Sequence, residues 1–190
     1  MHRKPQLVII TGRPGSGKST LAKKLGGLLY FPVVLRDEIK EGYVNTFKIR
    51  HDKLPKNANT VVTDIFFDNL KFLLLKKVSV VAEAAFQHSV WKYYLPRFKK
   101  LSNIVMVVCE VDPNIAARRF LKRGLRNPKR QFFNGDNKVL HFQKTGVLLP
   151  PAPYETPSLG IPTIKISTSN GYKPKLEKVV RQITSRSKAV

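Results

Sequence analysis

Eight residues near the N-terminus constrain this chain more than any other stretch: Gly12-Arg13-Pro14-Gly15-Ser16-Gly17-Lys18-Ser19. They satisfy the pattern G-x-x-x-x-G-K-[ST] without a mismatch, behind an apolar run, LVIIT, and ahead of a helical one, KSTLAKKL. The residue types follow from the chemistry. Glycines let successive backbone N–H groups close around phosphate oxygens, and the N-terminus of the following helix adds its positive dipole end. A lysine at position 18 can reach the β- and γ-phosphates, and the hydroxyl of Ser19 is placed to ligate Mg²⁺. The loop, extended by Thr20, therefore predicts a strand, a tight turn and a helix in that order, holding ATP and Mg²⁺.

The rest of the chain alternates short β-branched runs with longer helical segments. Strands are predicted over Leu7–Thr11, Pro32–Leu35, Val78–Ala82, Ile104–Cys109 and Thr163–Ile166. Their near-continuous apolarity means burial on both faces, as in a parallel sheet covered by helices. Helices are predicted over Lys18–Leu25, Asp37–Thr46, Thr60–Lys77, Ser89–Leu101, Pro113–Lys122, Asn137–Thr145 and Lys173–Ser185. Asp112-Pro113 reads as an N-cap followed by the first helical residue. This order indicates a doubly wound α/β fold in one domain spanning residues 1–190. The segments His51–Asn57 and Leu149–Pro162 take no assignment, the second reading as an ordered surface crossing.

Composition narrows the partners. Of 190 residues, 35 are Lys or Arg and 12 are Asp or Glu, a formal charge of +23. That imbalance favours polyanions such as nucleotides or nucleic acid. Basic clusters stand at Arg97, Lys99 and Lys100, and along Lys173, Lys175, Lys178, Arg181, Arg186 and Lys188. Tyr43, Phe47, Phe86, Trp91, Tyr93 and Tyr94 read either as stacking platforms for single strands or as core. One cysteine, Cys109, in an apolar strand, fits an inert core position and a reducing compartment. No apolar run approaches the roughly 20 residues needed to span a bilayer. The expectation is a cytoplasmic protein without a membrane partner.

No N-K-x-D stretch provides guanine specificity, and the length leaves no room for the extra helical domain of a motor. Four features remain: the RPGSGKST loop, Leu35-Arg36-Asp37-Glu38, Ala82-Glu83 and the arginine-rich Arg118–Arg130. On these the chain resembles the P-loop kinases (AAA_33-type) that include polynucleotide 5′-hydroxyl kinases, zeta-toxin-like kinases and antibiotic phosphotransferases. The resemblance extends to about residue 136. It implies a P-loop NTPase with a five-stranded parallel sheet, helices on both faces and the kinase-type strand order, in which the first and third strands are neighbours. It also implies acceptor-binding helices over 36–75 and an arginine-rich lid over 118–140.

The candidate catalytic groups sort by position. Asp37 follows the second strand, on the sheet edge where α/β proteins bind ligands. A carboxylate there can orient an acceptor hydroxyl and take its proton, and the resemblance gives the aspartate of an R-D-[DE] stretch that role; a plain helix N-cap is the alternative. Lys40, one helical turn on, addresses the same ligand. In polynucleotide kinases the position is typically arginine, and lysine keeps the charge without the bidentate fork. Glu38 and Glu41 read as a solvated face. Glu83 emerges from a buried strand to hold Mg²⁺ or the acceptor hydroxyl, or to pair with an arginine; exchanged roles for Asp37 and Glu83 remain open. Within Arg118–Arg130 stand Arg118, Arg119, Lys122, Arg123, Arg126, Lys129 and Arg130, without an acidic residue. Like charges at helical spacing suit a lid that neutralises a migrating phosphoryl group. By resemblance Arg119 and Arg123 match the lid arginines, and the turn Ser167–Gly171 lies near the adenine.

Three functions follow. The first is transfer of the γ-phosphoryl group to a hydroxyl of a small molecule such as a nucleoside, sugar nucleotide or antibiotic. The second is a polynucleotide 5′-hydroxyl kinase acting on DNA or RNA ends. The third is a non-catalytic ATP-binding module.

Overall fold

The computed structural model describes residues 4–185. Arg186 and Lys188 of the C-terminal basic stretch lie outside the described residues. Five strands, β1 (Gln6–Thr11), β2 (Val33–Leu35), β3 (Val80–Glu83), β4 (Asn103–Glu110) and β5 (Thr163–Ser167), form one sheet in the order β2-β3-β1-β4-β5. Every pairing is parallel, and β1 and β3 are neighbours. Nine helices lie among the described residues: α1 (Lys18–Leu29), α2 (Arg36–Phe47), α3 (Ala58–Leu75), α4 (His88–Tyr94), α5 (Pro96–Lys99), α6 (Pro113–Arg126), α7 (Lys129–Phe133), α8 (Asn137–Thr145) and α9 (Leu176–Ser185). None of the helices in the described residues is long and apolar enough to cross a membrane.

Strand alternation divides the core into two layers. Leu7, Ile9, Val80, Ala82, Met106 and Val108 face α3, α4 and α5. Val8, Ile10, Val81, Val105, Val107 and Ile166 face α1 and α9. This explains why every residue of β1 is buried. Phe66, Phe67, Phe98 and Trp91 fill the first layer, with Phe67 stacked on Tyr94 at 3.8 Å between ring centroids.

The departures from the sequence reading are local. Val78 does not open β3, because its N–H donates to the Leu73 carbonyl and closes the end of α3. The predicted helix Ser89–Leu101 splits at Pro96, which has no N–H to return and starts α5 instead. The last helix begins at Leu176, since Lys173 exchanges backbone hydrogen bonds with Ser167 and extends the end of β5. His51–Lys53 is a single 3₁₀ turn, and α7 is an added helix. Asp112 caps α6 as expected, its Oδ1 accepting from the N–H groups of Asn114 and Ile115. Of the six aromatics weighed as platforms, Trp91 and Tyr94 are buried and Phe86 packs against them, so core is their role.

Candidate active site

The glycine-rich loop joins β1 to α1 at the carboxyl edge of the sheet. Gly12 backs onto the Cys109 carbonyl and Ser16 is buried. Gly15, at φ 83°, presses on α6 so closely that a Cβ would stand 2.1 Å from the Ala116 carbonyl oxygen. Gly17, at φ 84°, borders open space, so a side chain there would fill the cradle instead of striking protein. The N-terminus of α1 has no side-chain cap and no acidic residue in its first turn. Its free N–H groups and dipole fit the phosphates of a nucleotide. Pro14 and Thr20 are exposed at the rim, and Arg13 lies 5.9 Å from the centre of the Tyr154 ring.

Register places the next group. Glu83 is the Cα partner of Ile10 on one side and Leu35 on the other. It therefore stands between the loop and Asp37, which each begin two residues further along. Its carboxylate lies 3.7 Å from the Lys18 ammonium, and both side chains are buried. The partner is the loop lysine, not the arginine weighed as a structural alternative. Burial pushes the Glu83 pKa above the ordinary carboxylate range and Asp37 adds to this, while Lys18, a hydrogen bond from Ser19 and Arg123 oppose it. One hydroxyl and one carboxylate are a donor set Mg²⁺ accepts when phosphate oxygens and waters complete it. Among the described residues no group of three or more His, Cys, Asp or Glu forms a self-sufficient metal site.

The raised pKa of Glu83 has a measurable sign. The folded state holds the proton more tightly than the unfolded chain, so this group's contribution is full below the ordinary value near 4.5. It is lost as pH rises from there through the folded pKa. The Glu83→Gln variant should lose that part of the slope of unfolding free energy against pH, measured by urea titration in that window.

Around the second strand the structure assembles charge from distant segments. Asp37 is the second residue of α2 and makes no cap hydrogen bond, so the N-cap alternative does not apply. Its carboxylate is half exposed, 3.8 Å from Arg36, and free to meet a ligand. Arg36 and Lys40 are half-buried neighbours. Desolvation lowers both pKa values, and Arg36 lowers that of Lys40 further while Asp37 and Asp136 oppose it. Arg123 faces the same centre: burial lowers its pKa and Arg130 adds to this, against Asp136, Asp37 and Glu83.

The lid arginines separate. Arg119 turns away from Arg123 and donates to the backbone oxygens of Thr168 at 2.9 Å and Ser169 at 2.7 Å. It ties α6 to the turn after β5, where Thr168 in turn donates to the Ser16 carbonyl at 2.6 Å. Arg119 and Arg123, one helical turn apart, thus serve different ends, while Arg118, Lys122 and Arg126 are exposed. Glu38 is solvated and pairs with Lys23 at 2.6 Å. Glu41 is not merely a solvated charge: it accepts from Asn134 Nδ2 at 2.9 Å and lies 3.9 Å from Arg130, latching α7 onto α2. Asp136, buried 3.5 Å from Arg130, completes the cluster. Asn134, Asp136 and Tyr154 escaped the sequence reading, which takes Glu41 only as a solvated charge and Thr168 only as part of the turn after the last strand. The one local signal was Asp136, the first acidic residue after the long basic stretch.

An AAA domain model, AAA_18, matches residues 8–141. The chain belongs to the AAA_18 family. This is the matching model where the motifs suggested the AAA_33 type, and both place the chain among P-loop kinases. Among solved structures, this family member superposes on a candidate kinase from Chloroflexus aurantiacus J-10-fl with a TM-score of 0.75 and 18% identity, over 96% of this chain and 98% of the other. It matches the Mycobacterium tuberculosis APS kinase CysC, solved with AMPPNP and APS, with a TM-score of 0.65 and 14% identity, over 99% and 100% of the two chains. A UPF0200 protein of Sulfurisphaera tokodaii is 26% identical over 122 residues, 64% of this chain and 68% of the relative. The AAA_18 chain therefore has a kinase-like P-loop fold.

Proposed function

We propose that this chain is an ATP-dependent phosphotransferase that moves the γ-phosphoryl group of ATP to a hydroxyl of a small molecule such as a nucleoside, sugar nucleotide or antibiotic. One observation carries the reading: the buried Lys18–Glu83 pair, Asp37 and Arg123 act on one another electrostatically at the mouth of the phosphate loop. The sheet brings two of the four there by register alone.

The loop Gly12–Ser19 holds the phosphates of ATP through its N–H groups, with Thr20 following. Mg²⁺, held by Ser19 and Glu83, would offset charge on the β- and γ-phosphates. Asp37 orients the acceptor hydroxyl, with Lys40 steadying the acceptor beside it. As the acceptor oxygen bonds to the γ-phosphorus, the bond to the β-phosphate oxygen breaks. The hydroxyl proton passes to Asp37, and ADP leaves with the bonding electrons. Lys18 and Arg123 neutralise charge on the transferred group. Arg119 acts at one remove, holding the β5–α9 turn against the loop.

The charge of +23 favours a second reading, a polynucleotide 5′-hydroxyl kinase. The burial of Trp91 and Tyr94 takes two of its six candidate stacking platforms into the core. Transfer from γ-labelled ATP to a pooled panel of nucleosides, sugars and aminoglycosides, beside a 5′-hydroxyl oligonucleotide, tests both readings. Label on a small acceptor is the expected result. Label on the oligonucleotide, weakening steeply with salt, would replace the first reading by the second. ATP binding without transfer to any acceptor would leave a binding module.

A further inference from the structure

A cavity of about 270 Å³ opens beside the tip of the phosphate loop. Its walls come from five separate segments: the loop at Pro14, α6 at Ala117 and Phe120, the chain after β3 at Gln87, α8 at Lys138, and the proline-rich stretch at Pro151 and Tyr154. The last of these was read as a surface crossing. It does cross the surface, and on the way it passes over the carboxyl end of the sheet, with Tyr154 Oη 3.2 Å from Thr11 Oγ1 and Pro157 buried. Apart from Arg13, Gln87 and Lys138, every lining residue is alanine, proline or aromatic.

The cavity borders the phosphate loop at Arg13 and Pro14, and two more of its lining residues are chain neighbours of Glu83 and Arg123. Gln87 follows Glu83 by one short step of chain. Phe120 lies one helical turn before Arg123, whose guanidinium sits 5.5 Å from the Phe120 ring centre. The turn after β5, which Arg119 holds, takes no part in the lining. A ligand in this cavity would therefore rest against Pro14 and Phe120, apart from that turn.

The chemistry of the walls selects the occupant. Each hydroxyl of a polyol buried here without a partner would cost affinity, and alanine and proline side chains supply none. A flat ring needs only apolar contact on its faces and one or two polar groups at its edge. Gln87 offers an amide N–H₂ as donor and a carbonyl oxygen as acceptor, and Arg13 and Lys138 at the edge offer donors only. The volume admits one nucleoside-sized group and not a run of nucleotides.

From this we infer that the acceptor is a ring-bearing alcohol, of nucleoside or aromatic type, whose planar body lies in this cavity between α6 and the 151–154 strap while its hydroxyl reaches Asp37. The inference rests on the phosphotransferase reading and names its substrate class. Polyols such as gluconate and oligonucleotides are excluded as preferred acceptors.

Binding can be read apart from turnover. Adenosine, guanosine, thymidine and chloramphenicol serve as ring probes, and gluconate and glucose as polyol probes, each titrated calorimetrically with AMP-PNP and Mg²⁺ present. The same titrations use the Ala117→Trp variant, in which an indole fills the cavity from a helix face, and a Gln87→Ala variant, which keeps the volume and removes the edge contacts. At least one ring probe should bind the parent protein, weaken at least tenfold in Ala117→Trp, and weaken less in Gln87→Ala. Neither polyol should bind measurably. Unchanged AMP-PNP affinity shows that Ala117→Trp is folded, and Gln87→Ala carries the test if it is not. Polyol binding equal to ring binding, or ring binding indifferent to both variants, would overturn the inference. If a ring probe binds in the cavity but accepts no phosphate, the phosphotransferase reading fails and the cavity assignment stands. If phosphate is transferred to a polyol equally well in Ala117→Trp, the phosphotransferase reading stands and the cavity assignment fails.

Discussion

Replacing Lys18 by methionine is expected to abolish nucleotide binding and phosphoryl transfer together, and to destabilise the protein as well. The three effects share one cause. The Lys18 ammonium is buried, 3.7 Å from a Glu83 carboxylate that is itself only 2% exposed. Methionine keeps the apolar stem and removes the charge. The carboxylate then loses the strongest of the groups that favour its charged form, while the burial that opposes it remains. A buried charge stripped of its partner costs about 3–5 kcal/mol unless it takes up a proton. Transfer should fall by roughly 10³-fold or more, because a fixed cation at the migrating phosphate acts mainly in the transition state. Urea unfolding, ATP calorimetry and single-turnover transfer measure the three separately. The double variant Lys18→Met, Glu83→Gln separates them further: it should recover most of the lost stability and none of the transfer. Loss of stability that the second change leaves untouched would mean the pair is not what holds this end of the sheet.

Asp37→Asn should behave in the opposite way. The side chain is half exposed and makes no cap hydrogen bond, so little of the fold depends on its charge. Asparagine is nearly isosteric and still meets a hydroxyl, but it cannot accept the proton. ATP affinity and unfolding midpoint should stay near those of the parent, while transfer drops by roughly 10²–10⁴-fold. Because proton transfer would be limiting, the loss should lie in kcat more than in the KM for the acceptor. Turnover equal to the parent's would move the base to Glu83, the exchanged assignment that the sequence left open. The Glu83→Gln variant would then carry the loss instead.

Much of this molecule was legible in the linear sequence because its causes are local. A glycine-rich turn between an apolar run and a helical one needs no distant partner to be recognised. The same holds for the β-branched runs that became the five strands, and for Asp112-Pro113 at the head of α6. Where local signals competed, boundaries moved by a few residues. Val78 is β-branched and reads as strand, yet its N–H was needed to close α3.

What the tertiary structure alone decided is which of many like residues meet. Arg119 and Arg123 are one helical turn apart and equivalent by periodicity, but β5 returns its Thr168 and Ser169 carbonyls beneath one of them only. Glu38 and Glu41 likewise share the outer part of one short helix, and only Glu41 meets α7. The proline-rich strap carries no periodicity, so nothing in it announces that Tyr154 would lie over the phosphate loop. Sequence determined the phosphate cradle, the parallel sheet and the carboxylates at its edge, since each is written in neighbouring residues. Only the fold determined which of the surrounding charges meet, because contacts such as Glu41–Asn134 and Arg119–Thr168 join segments tens of residues apart, and a side chain's partner depends on where the chain returns.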